Sequence, residues 1–300
     1  MQHRPGHPVP GLILACLLLA TACSPGSASS PGSRPVSTAT GTGGGASPLG
    51  GGAGNSSGSG QAQATTTSDG THAGSLRGKV IAVDPGHNGG NARHLAQISR
   101  LVDIGNGTKA CDTTGAETDT GYTEAAFNLD VALRLAALLR AQGAVVVLTR
   151  TGDDGVGPCI DQRAAIGNRN RADAALSVHA DGAPQAGLGF HVIVPRGIGR
   201  NNAIVAPSRQ LAVQIRDAFR NGTAEPLSTY LGTTSGAIVA RDDLGGLNLS
   251  TVPKVFIECA NMHNPADARR ITSATWRQQA ARALAAGLTR YLVSDSPQHP

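Results

Sequence analysis

The 300 residues include only 3% aromatic and 15% charged side chains, and the first quarter has almost nothing to bury, so one well-built core is the upper limit. The formal charge of +5 is scattered, with no basic block and no aromatic ladder. That excludes the usual footprint of a nucleic-acid binder and leaves at most a loose attraction to an anionic envelope.

Residues 11–20 form an apolar run behind Arg4, too short to span a bilayer and built like the central region of a secretory signal. Ala20-Thr21-Ala22 fits a small-residue cleavage site, so residues 1–22 are read as a signal peptide and Cys23 as the first mature residue. The stretch is also similar to a lipoprotein box, although Ala20 stands where leucine is usual; on that alternative Cys23 is lipidated and anchors the chain to a membrane. Residues 23–75 are nearly all Gly, Ser, Thr, Ala and Pro and are expected to be a disordered tether, because they cannot offset their ordering entropy. Residues 76–293 then suffice for a single domain, and 294–300 are read as a disordered tail.

Val80-Ile81-Ala82-Val83 reads as a buried strand, ended by the turn chemistry of Asp84-Pro85-Gly86, with His87 just beyond. Residues 88–122 are polar and Gly-rich, too long for a simple connection, and expected to hold a small hairpin or turn that acts as a lid. A helix is expected from Glu124, with Thr123 as its N-cap, Phe127, Val131, Leu135 and Leu138 on its buried stripe and Gly143 closing it. Strands follow at 144–149, 174–178 (delivering His179), 190–194 and 252–257 (ending at Glu258); helices are read at 163–171, 208–219 and 276–291. This alternation predicts an α/β fold, a single three-layer domain whose largely parallel, mixed central sheet is flanked by helices.

His87, His179 and Glu258 each sit at or just past a strand end, and Glu124 opens a helix from the same rim, where an open α/β sheet gathers its ligands. Two histidines and a glutamate form a ligand set for a catalytic Zn2+ with a fourth position left for water, and a second carboxylate then serves as base and acid. The spacing by itself leaves a competing interpretation open, namely four unrelated polar residues at loop starts. His94 and His191 are expected to be a loop histidine and a packed strand histidine.

The motifs weigh on the first side. Asp84-Pro85-Gly86-His87-Asn88-Gly89-Gly90, Glu124 through Asn128-Leu129, Leu148-Thr149-Arg150 with Arg163, Ser177-Val178-His179-Ala180-Asp181, and Val255-Phe256-Ile257-Glu258 followed by Asn264-Pro265-Ala266-Asp267 occur in that order between residues 79 and 291. Together they resemble the zinc-dependent N-acetylmuramoyl-L-alanine amidases of bacterial cell walls. Cys259-Ala260-Asn261-Met262, where many members carry a Gly-Phe pair, is similar to the compact actinobacterial version. The resemblance implies zinc at the strand carboxyl ends, held by His87, Glu124 and His179, with Glu258 as catalytic base. It implies peptidoglycan and its muropeptides as substrate, and export to the periplasm or cell envelope. Two other functions stay in view: a non-catalytic wall-binding or regulatory relative, and a zinc carboxypeptidase acting on stem peptides.

Asn88, Arg150, Arg163 and His263 are the candidate substrate contacts, with a structural ion pair as the competing role for the two arginines. With Cys16 in the signal and Cys23 at its end, Cys111, Cys159 and Cys259 remain. Export permits oxidation, and Cys111 and Cys159 lie in loops of the same rim, so they are expected to pair and leave Cys259 as a buried thiol. No apolar exposed stripe is apparent, and a monomer is expected.

Overall fold

The computed structural model describes residues 75–231 and 236–294. The expected signal peptide, nearly all of the tether, Cys23 and the tail after Ser294 lie outside the described residues. Among the described residues, no helix is long and apolar enough to cross a membrane.

β1 (Val80–Pro85) is followed by a short helix α1 (Leu95–Ile98), a hairpin of β2 (Leu101–Asp103) and β3 (Thr108–Ala110), α2 (Glu124–Ala141) and β4 (Val145–Leu148). Then come α3 (Ile160–Arg169), β5 (Ala174–Asp181), β6 (His191–Pro195), α4 (Asn202–Thr223), β7 (Ile238–Arg241), α5 (Gly245–Asn248), β8 (Lys254–Asn261), α6 (Pro265–Thr272) and α7 (Ala274–Ser294). Six strands form one sheet in the order β4-β1-β5-β8-β6-β7, in which only the β6–β8 pair is antiparallel. The mixed α/β architecture read from the pattern of elements is the one observed.

Strand alternation gives the sheet two unlike faces. Ile81, Val83, Leu176, Val178, Val192, Val194, Val255 and Ile257 point into the main core, which α2, α4 and α7 close with Phe127, Leu135, Phe219, Trp276 and Leu288. Cys259 lies in this core as a free, fully buried thiol. Asp84, Ser177, Phe256 and Ile193 follow one another across the register on the opposite face, which α3, α5 and the hairpin cover. A one-residue slip would exchange the two sets, so burial of the aliphatic set fixes where the polar row lies.

Three differences from the sequence reading bear on the site. β5 and β8 extend to Asp181 and Asn261, so His179 and Glu258 lie inside strands and face each other in register instead of following the strand ends. β7 and α6 are additional elements, too short to carry a periodic pattern. The excursion after His87 does hold a small hairpin, tied down across the cavity: Asn106 Nδ2 donates to Asp242 O at 2.8 Å, and Lys109 Nζ to Asp243 O at 2.8 Å.

Behind the site, Asn264 caps α6 by accepting from the Ala266 and Asp267 amides, and Asp267 Oδ2 accepts from Gly189 N at 2.8 Å and Asn261 N at 3.0 Å. Glu225, only 1% exposed, shares Arg270 with Asp267. Burial first, then the Asp267 charge, push the Glu225 carboxyl up to about 8 against the pull of Arg270. A carboxyl whose folded pKa is raised holds a proton that the unfolded chain releases, so stability falls as pH rises from the ordinary glutamate range to about 8. Thermal unfolding of Glu225→Gln followed over that range should lack this decline, so that the variant gains on the parent protein as pH rises.

Candidate metal centre

The Asp84-Pro85-Gly86-His87 turn sets His87 at φ 55°, a left-handed backbone conformation uncommon for a side-chain-bearing residue. Two arginines hold that turn in place. Arg150 donates from Nε to Pro85 O at 3.0 Å, from Nη2 to Gly86 O at 3.0 Å and Ala125 O at 2.8 Å, and from Nη1 to Gly152 O and Asp153 Oδ1 at 2.9 Å each. Arg163 donates from Nε to Pro158 O, from Nη1 to Asp84 Oδ1 and Pro85 O, and from Nη2 to His87 O and Asp112 Oδ2, all within 2.7–3.0 Å. A guanidinium has five N–H donors, and each arginine uses all of them on protein acceptors. Neither has one left for a substrate carboxylate, so their expected substrate role gives way to a structural one.

Asp84, 2% exposed, anchors the row beneath the turn. Its carboxylate accepts from Thr149 Oγ1 at 2.6 Å, Arg163 Nη1 at 2.9 Å, Ser177 Oγ at 2.8 Å and Lys254 Nζ at 3.2 Å. Burial would raise its pKa, but Lys254 and Arg163 hold it well below the usual carboxylate range.

Above this row the ligand candidates converge. His87, Glu124 and His179 bring one donor atom each within 4.8 Å of one another. Glu124 Oε2 lies 3.3 Å from His87 Nε2 and accepts from Ala116 N at 2.8 Å; Oε1 lies 2.9 Å from His179 Nδ1. Thr123 caps α2 by accepting from Ala126 N, which fixes Glu124 in the first turn with its carboxylate over the rim. The ring of His179 stacks on Phe256 at 5.2 Å between centroids and meets the His87 ring edge-on at 5.0 Å. Two glycines make the approach feasible: a Cβ on Gly86 would stand 2.1 Å from the His179 ring, and one on Gly115 (φ +79°) 2.8 Å from Glu124 Oε2.

The donor chemistry fits zinc. Burial disfavours a charged His87, yet Glu124 and Asp112 outweigh it and push the imidazole up to about 10, the response of a group placed where a cation belongs. Glu124, also buried, is held well below its ordinary value by the two histidines. Asp112 supplies the support that ligand histidines characteristically have: Oδ1 lies 3.0 Å from His87 Nδ1 and Oδ2 3.0 Å from Arg163 Nη2, leaving His87 Nε2 toward Glu124. Sequence reasoning passed over Asp112, although it adjoins Cys111. The disulfide Cys111–Cys159 closes the expected pair, spanning 48 positions and joining the segment that carries Asp112 to the start of the helix that carries Arg163.

Glu258 sits opposite His179 on one side and His191 on the other. Burial, reinforced by Glu124 and Asp181, pushes its carboxyl well above the ordinary range. His191 is buried and edge-on to Tyr230. Asn88 is buried and donates to Gly157 O at 2.8 Å, and His263 Nδ1 lies 3.1 Å from Ala183 O, outside the cavity that holds the metal group. A cavity of about 280 Å³ runs from His87, His179 and Glu258 between the sheet and the hairpin.

A His-Glu-His group that could hold a metal ion, beside Glu258 on a mixed α/β sheet, has the make-up of a hydrolase site. The model of the family Amidase_3, N-acetylmuramoyl-L-alanine amidase, matches residues 81–290, and the chain belongs to this family. It is 41% identical over 222 residues to the N-acetylmuramoyl-L-alanine amidase Rv3717 of Mycobacterium tuberculosis, covering 73% of this chain and 89% of that protein. Among solved structures, the N-acetylmuramyl-L-alanine amidase Ami1 of Mycobacterium smegmatis superposes with a TM-score of 0.69 at 40% identity, over 73% of this chain and 99% of that one. Ami1 of Mycobacterium abscessus does so with 0.68 at 39% identity, over 72% and 100%.

Because Asp112 orients His87 through its second nitrogen, Asp112→Asn should weaken zinc binding about 10–100-fold while leaving the ligands in place. Competition with a chelator of known affinity measures this; unchanged affinity would remove Asp112 from the metal centre.

Proposed function

We propose that this chain is an exported, zinc-dependent N-acetylmuramoyl-L-alanine amidase. It hydrolyses the amide between the lactyl group of N-acetylmuramic acid and the L-alanine of the peptidoglycan stem peptide, and so serves wall remodelling and daughter-cell separation. The observation that carries this is the register that sets Glu258 directly beside His179, whose donor atom lies within 4.8 Å of those of His87 and Glu124.

His87, Glu124 and His179 would hold the zinc, which when bound would supply Lewis-acid chemistry, polarising the amide carbonyl and acidifying water. Glu258 takes the proton of the attacking water and hands it to the departing amine. Its recessed setting, which raises its affinity for a proton, suits it to both halves of that transfer. Asp112 fixes the His87 ring, and the Arg150–Arg163 clamp holds the turn that bears it. The protein works as a monomer on peptidoglycan in the cell envelope, with lipid attachment at Cys23 as the route by which it would stay membrane-bound.

Glu258→Gln should retain zinc and lose about 10²–10⁴-fold in activity, whereas His87→Ala and His179→Ala should lose zinc as well. Elemental analysis and turnover on purified muropeptides measure the two separately. Mass analysis of the digest decides the chemistry: free stem peptide with an L-alanine amino terminus supports the amidase. Loss of one terminal amino acid would make the protein a carboxypeptidase, and intact muropeptides with bound zinc would make it a non-catalytic relative.

Reduction of Cys111–Cys159 releases a loop of 48 positions, a loss of about 4 kcal/mol on the chain-entropy model. Cys111→Ser/Cys159→Ser should therefore melt well below the parent protein and bind zinc more weakly, because Asp112 and Arg163 lose their covalent link. Equal zinc affinity in the two would confine the disulfide to stability.

A further inference from the structure

With Arg150 and Arg163 saturated by protein acceptors, the cavity needs another cation if it is to receive a charged peptide. Its surroundings are otherwise acidic: Asp84, Asp112 and Glu258 line it, with Glu124 among the ligands. Among the described residues, the remaining cationic side chains lining it are Arg241, at the end of β7, and Lys109, in the second strand of the hairpin. Asp243 holds both of them. Arg241 Nε donates to Asp243 Oδ1 at 2.8 Å and Nη2 to Oδ2 at 2.7 Å, while Lys109 Nζ donates to Asp243 Oδ2 at 3.0 Å. Two cations on one carboxylate leave an excess of positive charge there. The bidentate grip fixes the guanidinium plane and leaves Nη1 without a protein acceptor among the described residues.

The register gives the distance. Glu258 faces His191, and Arg241 faces Pro195 on the far side of the same strand. Four residues along a strand and two strand spacings across put the Arg241 and Glu258 backbones about 16 Å apart. Side-chain reach from both ends reduces that to roughly 8–10 Å, which two or three residues of extended peptide span at ~3.3–3.6 Å each. Ile193 and Phe256 on the sheet and Ile160 and Leu244 opposite make the intervening wall apolar.

Resting on the amidase function proposed above, we propose that Arg241, reinforced by Lys109, is the specificity residue for the peptide half of the substrate. It pairs with a free carboxylate two or three residues beyond the scissile amide. Across the sheet Glu258 stands between His179 and the β6–β7 side. The amine that Glu258 protonates therefore leaves toward Arg241, and the muramoyl group lies on the His87 side. The hairpin takes part directly, because its Lys109 belongs to the same ionic cluster.

The test uses zinc-loaded protein and two sets of muramoyl peptides of two to four residues, one with free and one with amide-capped carboxylates. The parent protein should prefer the free-carboxylate set through KM. Arg241→Gln should lower that preference about tenfold, the worth of one charge-assisted hydrogen bond, with kcat altered far less. Arg241→Lys should keep part of it, and Lys109→Met, which leaves Asp243 both of its bonds from Arg241, should weaken it by a smaller factor than Arg241→Gln. Calorimetric binding of the same peptides to Glu258→Gln protein, with and without Arg241→Gln, reads the discrimination without turnover. Discrimination in binding with no cleavage by the parent protein would sink the amidase reading and keep the carboxylate site. Cleavage with equal loss on both peptide sets in Arg241→Gln, or no preference in the parent protein, would overturn the proposal.

Discussion

The structure depends on one buried carboxylate, Asp84. It sits at the end of the first strand, and its two oxygens gather Thr149 from the segment after β4, Arg163 from α3, Ser177 from β5 and Lys254 from β8. Four elements far apart in sequence are thereby tied to the residue that begins the turn bearing His87. Removing one partner of a buried ion pair costs about 3–5 kcal/mol, because the charge left behind finds no water. Arg163 then passes the constraint on through Asp112 to the His87 ring. The His87 ring is thus aimed by an unbroken chain of charge-assisted contacts that starts in the sheet.

The two faces of the sheet divide the work. On one, aliphatic side chains against α2, α4 and α7 supply the bulk of the apolar burial. On the other, the packing is thin and small, with Ala82, Ala172, Ala175 and Val252 forming only a minor cluster. Charges, a disulfide and close glycine contacts do there what a thick core does elsewhere. That trade leaves room for a cavity beside His87 and His179, which a fully packed layer would fill.

Arginine illustrates why residue type alone misleads about role. Arg150 and Arg163 sit within two neighbouring segments of the motif set and are the natural candidates for binding a carboxylate. Both are instead spent on main-chain carbonyls of the turn they support. Arg241, in a four-residue strand without a motif, keeps Nη1 without a protein acceptor among the described residues and lines the cavity. What separates them is the count of acceptors around each guanidinium, and that count is a property of the folded chain.

By itself the sequence determined the α/β layering, the Thr123-capped helix that opens with Glu124, and the turn bearing His87. Each depends on near neighbours: apolar periodicity, a hydroxyl cap, a proline and a glycine. His179 and Glu258 were legible as residues of motifs, and the Cys111–Cys159 pair as two rim cysteines in a chain expected to be exported. Only the tertiary structure decided that His179 and Glu258 face each other inside extended strands, because strand register is set by burial of the aliphatic face across the whole sheet. It alone brought Asp112 to His87 and Lys254 to Asp84, contacts between residues 25 and 170 positions apart, and Arg241 to the cavity. Such pairings are fixed by where the packed elements leave a charge without water, and no local pattern in the chain records that.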